Sequence, residues 1–464
     1  MTRVPVLEEA VTRLVVELNY GLLSPQALEG ARRLMQDQLA LQIGCASLPW
    51  SQDILNLTLR THAQGKARVT LSGEAMSAGD AAFVNATYGH SFEYDDAHSA
   101  SLSHPGSCVV STALAVGEEI DATMGQVIEG MVAGYEVYTR IGTLASPDLL
   151  RRGFHPHAVL SPFGAAAVVA KMRGFDFDTT IHALAIAFSH CAGTTEYTSS
   201  GGSIKRVHSG IGTRNGIRAA EMAEAGITGP TSFLSGAKGF FKTFVVRDVT
   251  GSDAEKFSLG LPYEIAGPLI KPYCCCGFNH AFIDAARTLV GRSAEIERVD
   301  LGIRASGDVV VGNSNVNAYA PQQIEHLQYS LPFQFAMSAL GAGNGYETHR
   351  AYMEGGLDLG EGSDLAAFAN RIAIHVSPEL DVEYPEKMVA DVNVIFRDGT
   401  AEHVFVEDSI GSAANPMSEE DLDAKFRDLT IKNLGAERSD ALREAIGKGD
   451  TAARTSDFVS LMIA

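Results

Sequence analysis

The sequence predicts a mainly α protein with a helical body, a smaller inserted α+β segment and a helical tail that rejoins the body. Three observations indicate this class. Apolar residues recur at helical spacing in the first half of the 464 residues, β-branched and alternating runs begin only after about Gly267, and a helix-start pattern returns at Ser418. The length exceeds that of one ordinary core, so about two or three domains are expected.

The helical body is predicted from capping residues and from runs of small residues. Ser24 and Pro25 form an N-cap followed by proline at the first helical position, and the apolar pattern continues to about Cys45. Alanine-rich runs favour close approach of helices. One further helix is predicted to begin at Asp80. Others are predicted at 164–172, 183–188 and 214–225, and Gly226 is expected to end the last of them.

The inserted segment is predicted from β-branched and alternating runs. The expected strands are 299–306, 309–311, 372–376 and 392–396, with Asp398-Gly399 as the turn of a hairpin to 403–407. Ser418-Glu-Glu-Asp421 resembles a capping box that restarts helix. The expected domains are therefore a helical domain, 1–266 with 406–464, and an α+β lid domain, 267–405, that closes over the histidine clusters described below.

Composition excludes several classes of partner. There are 36 basic against 56 acidic residues and a net charge of −20, which disfavours nucleic acid and anionic membranes. No stretch approaches the roughly 20 uncharged apolar residues of a membrane span. The start of the sequence lacks the features of a secretory signal, and the six cysteines form no disulfide framework, so a reducing, cytoplasmic location is expected. An anionic substrate would need a locally positive pocket.

Three carboxylates and three imidazoles are concentrated within 15 residues. They are His90, Glu93, Asp95, Asp96, His98 and His104. Groups this close shift one another's pKa values apart, which lets one site hold an acid and a base at the same pH. The alternative interpretation is a solvated acidic loop with incidental histidines.

Three further segments carry candidate residues. His155 and His157 have a spacing that only weakly suggests a metal. Lys205 and His208 are expected just before a helix, where glycines would let backbone N–H groups cradle an anion, unless the segment is an exposed basic turn. Lys271 and His280 flank three consecutive cysteines, and His280 has a structural alternative. Neither a nucleotide-phosphate loop nor a serine-hydrolase elbow is present.

These segments, in this order, resemble the MmgE/PrpD family. The family's His-x-x-Asp-[Phe/Tyr]-Asp-Asp-Thr and His-Pro motifs are matched by 90–97 and 104–105. Gly-Phe-His-Pro is matched by 153–156, Lys-x-x-His-x-Gly by 205–210, and Gly-x-x-Gly-Pro by 226–230. Lys-Pro-Tyr-x-x-Cys with a later His and Asp-Ala-Ala is matched by 271–286, and 415–426 is similar to the C-terminal signature.

The resemblance implies an all-helical domain formed by both chain ends, a smaller α+β lid, a homodimer, and neither metal nor cofactor. It implies activity beside a carboxylate of a small polycarboxylic acid: 2-methylcitrate dehydration, cis-aconitate decarboxylation or iminodisuccinate epimerisation. The expected catalytic residues are His104, Lys205, His155, Glu93 and His280, and the expected substrate-binding residues are His208, Asp96 and Lys271.

Three positions depart from the family pattern. Glu93 replaces an aspartate, and Ala97 replaces a hydroxyl residue. Gly277 stands where many members have an arginine, and the loss of that bidentate clamp disfavours the usual tricarboxylates.

The expected function is a metal-independent lyase that abstracts a proton α to a carboxylate, most simply a hydro-lyase of the 2-methylcitrate dehydratase type. His104 or His155 would move the proton, Lys205 with His208 would hold the carboxylate, and His280 would protonate a leaving hydroxyl. The alternatives are a decarboxylase, an epimerase, a catalytically silent carboxylate-binding protein and a metal-dependent hydrolase using His155 and His157. His157 lies outside the matched motif positions and is expected to matter least.

Overall fold

The computed structural model describes residues 4–260, 262–382 and 387–464. The chain divides into two compact units. We call Met1–Ser91, Asp95–Pro268 and Leu422–Ala464 the helical unit, and Phe92–Tyr94 with Leu269–Asp421 the mixed unit. The predicted fold class, mainly α with a small α+β part, is confirmed. The lid role of 267–405 stays a prediction.

The helical unit is organised around a helix that is apolar on every side. Every residue of Pro156–Met172 except Lys171 is buried, as expected for a helix without a polar face. The four helices that pack most extensively against it come from both sides of it in sequence: Pro105–Glu119, Met124–Ala145, Phe177–Phe188 and Ile204–Glu224. The remaining longer helices of this unit are Val6–Glu17, Pro25–Cys45, Pro49–Leu59, Ala78–Gly89, Glu419–Leu434 and Ala436–Lys448.

Residues from the two ends of the chain meet in the helical unit. Lys425, in the helix Glu419–Leu434, places its Nζ 2.6 Å from Oδ1 of Asp37, and both side chains are almost fully buried. Leu71 and Ile463 form a parallel β-bridge. A buried charge needs an opposite charge close to it. This ion pair therefore fixes the C-terminal helices on the first half of the unit.

Two predicted helix starts need correction. Ser24 caps Pro25–Cys45 as expected, accepting from the Ala27 N–H. The helix predicted from Asp80 begins at Ala78, because Ser77 is its N-cap and accepts from the Asp80 N–H at 3.2 Å.

The second correction is larger and bears on the site. The helix predicted at 214–225 is Ile204–Glu224 and begins ten residues earlier. Its glycines are packing positions: a Cβ at Gly216 would lie 2.4 Å from the Pro162 carbonyl oxygen, and one at Gly210 would lie 2.4 Å from that of Phe83. They do not turn N–H groups inward. Gly226, at φ +92°, ends the helix region as predicted.

The mixed unit contains a four-stranded sheet. Its strands run in the order Ile372–Val376, Ile296–Ile303, Ala390–Phe396 and Ala401–Val406. The first pair is parallel, with Val299 opposite Ile372, and the other two pairs are antiparallel. The last two strands are the predicted hairpin, turned at Gly399 with φ +84°.

One predicted strand is wrong and another is shifted. Residues 309–311 belong to the helix Ala305–Val311, because Val309 is 66% exposed while Val311 is buried, a pattern without strand alternation. The strand predicted at 299–306 is Ile296–Ile303. The other helices of eight or more residues in the unit are His280–Arg287, Leu331–Ala339 and Tyr346–Met353. Across the described ranges of the chain, no helix is both long and apolar enough to cross a membrane.

Candidate active site

Two His-Pro pairs start two of the buried helices of the helical unit. His104 precedes Pro105 of the helix Pro105–Glu119, and His155 precedes Pro156 of the helix Pro156–Met172. Proline fits the first helical position and keeps the residue before it out of helical conformation. The ψ angles of His104 and His155 are accordingly 69° and 107°. The sequence thus holds both imidazoles at helix N-termini.

Five imidazoles of the helical unit lie in one cluster. The ring centroids of His90 and His157 are 4.3 Å apart, and those of His90 and His104 are 5.4 Å apart. His155 and His208 are separated by 5.1 Å. His104 is partly exposed, whereas the other four are buried. The helical unit therefore brings together proton-carrying groups that are far apart in the sequence.

The tautomer of neutral His104 is set by its backbone partner. Its Nδ1 lies 2.7 Å from the carbonyl oxygen of Asp96. A carbonyl oxygen can only accept, so Nδ1 carries the hydrogen and donates it. In the neutral ring, the basic lone pair is then on Nε2. His104 is thereby prepared to take up a proton at Nε2.

His155 and His208 share a hydrogen bond between their Nδ1 atoms, 2.9 Å apart. One imidazole must donate and the other must accept, so the two rings cannot both be cationic while this bond exists. Burial lowers the pKa of His155 well below its usual value, and repulsion from His208 and His104 lowers it further. Burial, with the charge of Lys205, lowers the pKa of His208 to about 4. Both rings are therefore neutral near pH 7.

Lys205 and His208 lie in the first two turns of the helix Ile204–Glu224, not before it as predicted. Both are buried, with 7% exposed. The next residue, Arg206, stacks on the ring of Trp50 at 4.0 Å and donates to the carbonyl oxygen of Ser91. Lys205 thus places an ammonium group near the neutral His208 ring.

Asp96 holds the start of the helix that carries His104. Its two carboxylate oxygens each lie 3.1 Å from the Gly106 N–H, and Gln38 donates to Oδ1 at 3.1 Å. Burial, with the charges of Asp95 and Asp37, raises the pKa of Asp96. These contacts orient the His104 backbone and side chain, while contact between Asp96 and a substrate stays a prediction.

Glu93 lies in the short segment that belongs to the mixed unit. It has φ +56°, a left-handed conformation that is uncommon for a residue with a side chain and is enriched at functional sites. Lys271 Nζ donates to the Glu93 carbonyl oxygen at 3.2 Å and lies 3.6 Å from its carboxylate. Cys274 Sγ and Gln328 Nε2 donate to the carbonyl oxygen of Phe92 at 3.0 and 2.8 Å. These bonds hold the unusual backbone in place.

His280 is the first residue of the helix His280–Arg287 in the mixed unit, as the sequence predicts. It is 1% exposed, and its ring meets that of Tyr273 edge-on at 5.4 Å. Its Nε2 lies 3.4 Å from the Cys275 carbonyl oxygen. These contacts fit a structural histidine as well as a proton carrier, so its catalytic role stays a prediction.

The predicted residues fall into two groups. The helical unit brings together the first group, and the mixed unit contains the second. The first group is His104, His155, Lys205, His208 and Asp96, and the second is Glu93, Lys271 and His280.

Sequence reasoning missed part of the cluster. His157, expected to matter least, is fully buried within it and shares a 2.7 Å hydrogen bond with the Tyr138 hydroxyl. His90 belongs to the titratable cluster of the sequence but has no predicted catalytic or binding role. The His-x-His spacing could have located His157, whereas nothing in the sequence near Tyr138 signals this contact.

The described residues show no group of three His, Cys, Asp or Glu side chains placed to hold one metal ion. The two imidazoles proposed for a metal, His155 and His157, use their Nδ1 atoms for His208 and Tyr138.

Comparison with known proteins identifies relatives of this chain. Cis-aconitate decarboxylase of Aspergillus terreus is 30% identical over 283 residues, which cover 58% of this chain and 57% of that protein. Human cis-aconitate decarboxylase is 25% identical over 379 residues, or 78% and 74% of the two chains. The 2-methylcitrate dehydratase of Salmonella typhimurium is 25% identical over 309 residues, or 63% and 60%. The match to the first relative thus spans less than two thirds of its length.

Two family domains cover most of the sequence. The MmgE/PrpD N-terminal domain matches residues 9–250, and the MmgE/PrpD C-terminal domain matches residues 273–448. The first of these alone spans more than half of the 464 residues. The histidine cluster lies within it, and His280 lies within the second. The chain therefore belongs to the MmgE/PrpD family.

Proposed function

We propose that the protein is a lyase that removes a proton α to a carboxylate of a small polycarboxylic acid. The observation that carries the proposal is His104, whose Nδ1–H donates to the Asp96 carbonyl oxygen and leaves the lone pair of the neutral ring on Nε2. A neutral imidazole held in one tautomer is suited to general-base catalysis. His155, which burial keeps neutral, is the second candidate.

The reaction also needs positive charge beside the base. A proton α to a carboxylate is weakly acidic because its removal places a second negative charge on the acid. Lys205 supplies the cation, and His208, kept neutral by burial and by that cation, can donate a hydrogen bond. A well-placed donor of this kind lowers such a barrier by about 3 kcal/mol.

The proposed step moves a proton from the substrate carbon to Nε2 of His104 and leaves the electron pair on the substrate as an enediolate. When a β-hydroxyl is present, protonation of that oxygen releases water and forms a carbon–carbon double bond. His280 is the proposed acid, and Glu93 with Lys271 forms the proposed second polar group. This is dehydration of the 2-methylcitrate dehydratase type.

Decarboxylation is the second candidate reaction. A 30% identical relative is a cis-aconitate decarboxylase, which favours this outcome. The carbon–carboxylate bond would break, CO₂ would leave, and the carbon would take a proton from an imidazole that had first been protonated by solvent. Epimerisation needs only the first step and its reversal on the opposite face, so it stays a third outcome.

Product analysis distinguishes these reactions. The protein is incubated with hydroxy-, unsaturated and amino-polycarboxylates, and products are identified by NMR together with assay of released CO₂. New alkene signals indicate dehydration, and CO₂ indicates decarboxylation. Binding detected by calorimetry with neither product nor exchange of the α-proton would instead support a carboxylate-binding protein.

Two further properties belong to the proposal. We propose a homodimer, so light scattering should give twice the 49.3 kDa chain mass, and the mass of one chain would contradict it. The proposed proton transfers use side chains alone, so we expect activity to survive a strong chelator. Loss of activity that zinc restores would contradict this.

A further inference from the structure

His90 and Asp95 form a buried hydrogen-bonded pair that the proposed reaction does not use. His90 Nδ1 lies 2.6 Å from Asp95 Oδ2, and neither side chain is exposed to solvent. His90 is the C-cap of the helix Ala78–Gly89. Asp95 is the first residue after the segment of the mixed unit, where the chain re-enters the helical unit. The short separation is that of a close hydrogen bond between the ring nitrogen and the carboxyl oxygen.

We propose that His90 and Asp95 are positioning residues: the pair fixes the ring arrangement behind the proton-carrying imidazoles and supplies the negative charge that stabilises an imidazolium ion among them. This inference rests on the proposed function, because it concerns the imidazolium that forms when a base takes up the α-proton.

The contacts between rings support the proposal that the pair fixes the ring arrangement. His90 lies 5.4 Å from His104 and 6.1 Å from His155, between ring centroids, so it borders both candidate bases. Its nearest ring is His157, at 4.3 Å. His157 is itself held by the Tyr138 hydroxyl at 2.7 Å. The Asp95 hydrogen bond therefore orients a ring whose movement would disturb both bases.

The electrostatic interactions support the proposal that Asp95 stabilises an imidazolium ion in the cluster. Burial lowers the pKa values of His155 and His157, and repulsion from neighbouring imidazoles, including His90 at His157, lowers them further. The charge of Asp95 acts in the opposite direction at each ring. A cation in a buried site needs a nearby opposite charge. Asp95 is the carboxylate that acts on both of these imidazoles.

Other charges act on the same cluster. Lys205 opposes a positive charge on His208, and the charge of Asp95 raises the pKa of Asp96, which disfavours a second carboxylate charge beside it. The titratable and charged groups on the elements around the pair include Asp37, His104, Asp96, Tyr138, His155, His157, Lys205, Arg206 and His208.

A buried pair can also be purely structural, so the experiment must separate the two roles. Asp95→Asn removes the charge and retains a similar shape. His90→Gln retains an amide that can donate to Asp95 but removes the ring beside His104. A structural role predicts lower stability for both variants, with unchanged kcat in the folded fraction and unchanged imidazole titration.

The first readout is the titration of the imidazoles by ¹⁵N NMR in protein without substrate. In Asp95→Asn we expect the pKa values of His155 and His157 to fall. In His90→Gln the pKa of His157 should rise, because His90 repels a charge on that ring, and the pKa of His155 should stay close to that of the parent. The second readout is steady-state kinetics. Each variant should lose about 10- to 100-fold in kcat with KM nearly unchanged, less than the about 10²–10⁴ expected for loss of the base itself.

A matched control is available in the mixed unit. His403 Nε2 and Asp391 Oδ1 are also 2.6 Å apart, but the pair is solvent-exposed. Asp391→Asn should leave both kcat and the titration of the clustered imidazoles unchanged.

The outcomes are separable. Unchanged kcat in His90→Gln, or unchanged imidazole titration in Asp95→Asn, overturns the inference. If Asp95→Asn does not fold, kinetics of His90→Gln decide the positioning role. If the parent protein acts on no acid, the proposed function fails, while the imidazole titration still tests the charge effect of Asp95.

Discussion

Replacing His208 by asparagine should make the stability of the protein less sensitive to acid. His208 is buried in the helical unit, shares a 2.9 Å hydrogen bond with His155, and has a pKa lowered to about 4 by burial and by Lys205. In the unfolded chain, the same imidazole has a pKa near 6.5. Between these values the unfolded chain binds a proton that the folded protein does not bind.

The sign and size of the change in unfolding free energy with pH follow from these two pKa values. Above about pH 6.5 the ring is neutral in both states and contributes nothing. As the pH falls from about 6.5 to about 4, unfolding gains a proton and stability is lost. Between about pH 7 and pH 4.5 this loss is about 2 kcal/mol for His208 alone. Removing His208 also relieves repulsion at His155, which changes acid sensitivity in the same direction.

The assay is urea unfolding followed by circular dichroism at the two pH values and at one protein concentration. We expect the loss of unfolding free energy between the two pH values to be smaller in His208→Asn by about 2 kcal/mol. The variant will also lose the hydrogen bond to His155, about 1 kcal/mol at both pH values, which cancels in the difference. His403→Asn, with a side chain 58% exposed, is the control. An acid sensitivity equal to that of the parent would refute the conclusion that His208 is buried and neutral in the folded protein.

Four other substitutions have definite expected outcomes. Lys205→Ala should lower kcat and raise KM together in steady-state assays, because the cation attracts both the substrate and the developing charge; a change in kcat alone would contradict this. Lys425→Met leaves Asp37 buried without its 2.6 Å partner and should cost about 3–5 kcal/mol in urea unfolding; a loss below about 1 kcal/mol would contradict the burial. Gly210→Ala should destabilise strongly because its Cβ would lie 2.4 Å from a backbone oxygen. Gly447→Ala, with no atom within 4 Å, should stabilise by about 0.5–1 kcal/mol; equal effects would refute this packing.

The parts of the site that the sequence predicted are those fixed by local chemistry. Proline is typical of the first position of a helix, and it restricts the conformation of the residue before it. The positions of His104 and His155 at the starts of their helices can therefore be predicted from the His-Pro pair alone. The hairpin at Gly399 and the cap at Ser24 are local in the same sense. Their prediction needs no knowledge of the remaining chain.

The predictions that were wrong concern features that depend on tertiary packing. The helix that carries Lys205 starts ten residues before its predicted position, because the glycines expected to free backbone N–H groups for an anion are sites of close helix contact. Three consecutive valines at 309–311 favour a strand by composition, yet only one of them is fully buried. The contact of His157 with Tyr138 joins two helices, and no spacing in the sequence encodes it.

The most direct test of the proposed chemistry is exchange of the α-proton of a candidate acid in D₂O. The parent protein should replace that proton with deuterium, even where net turnover is slow, because proton removal comes first. His104→Ala should slow the exchange by about 10²–10⁴-fold, and His403→Ala should exchange at the parent rate. Exchange in His104→Ala at the parent rate would contradict the assignment of His104 as the base. Absence of exchange with every acid of the panel would contradict the proposed reaction itself.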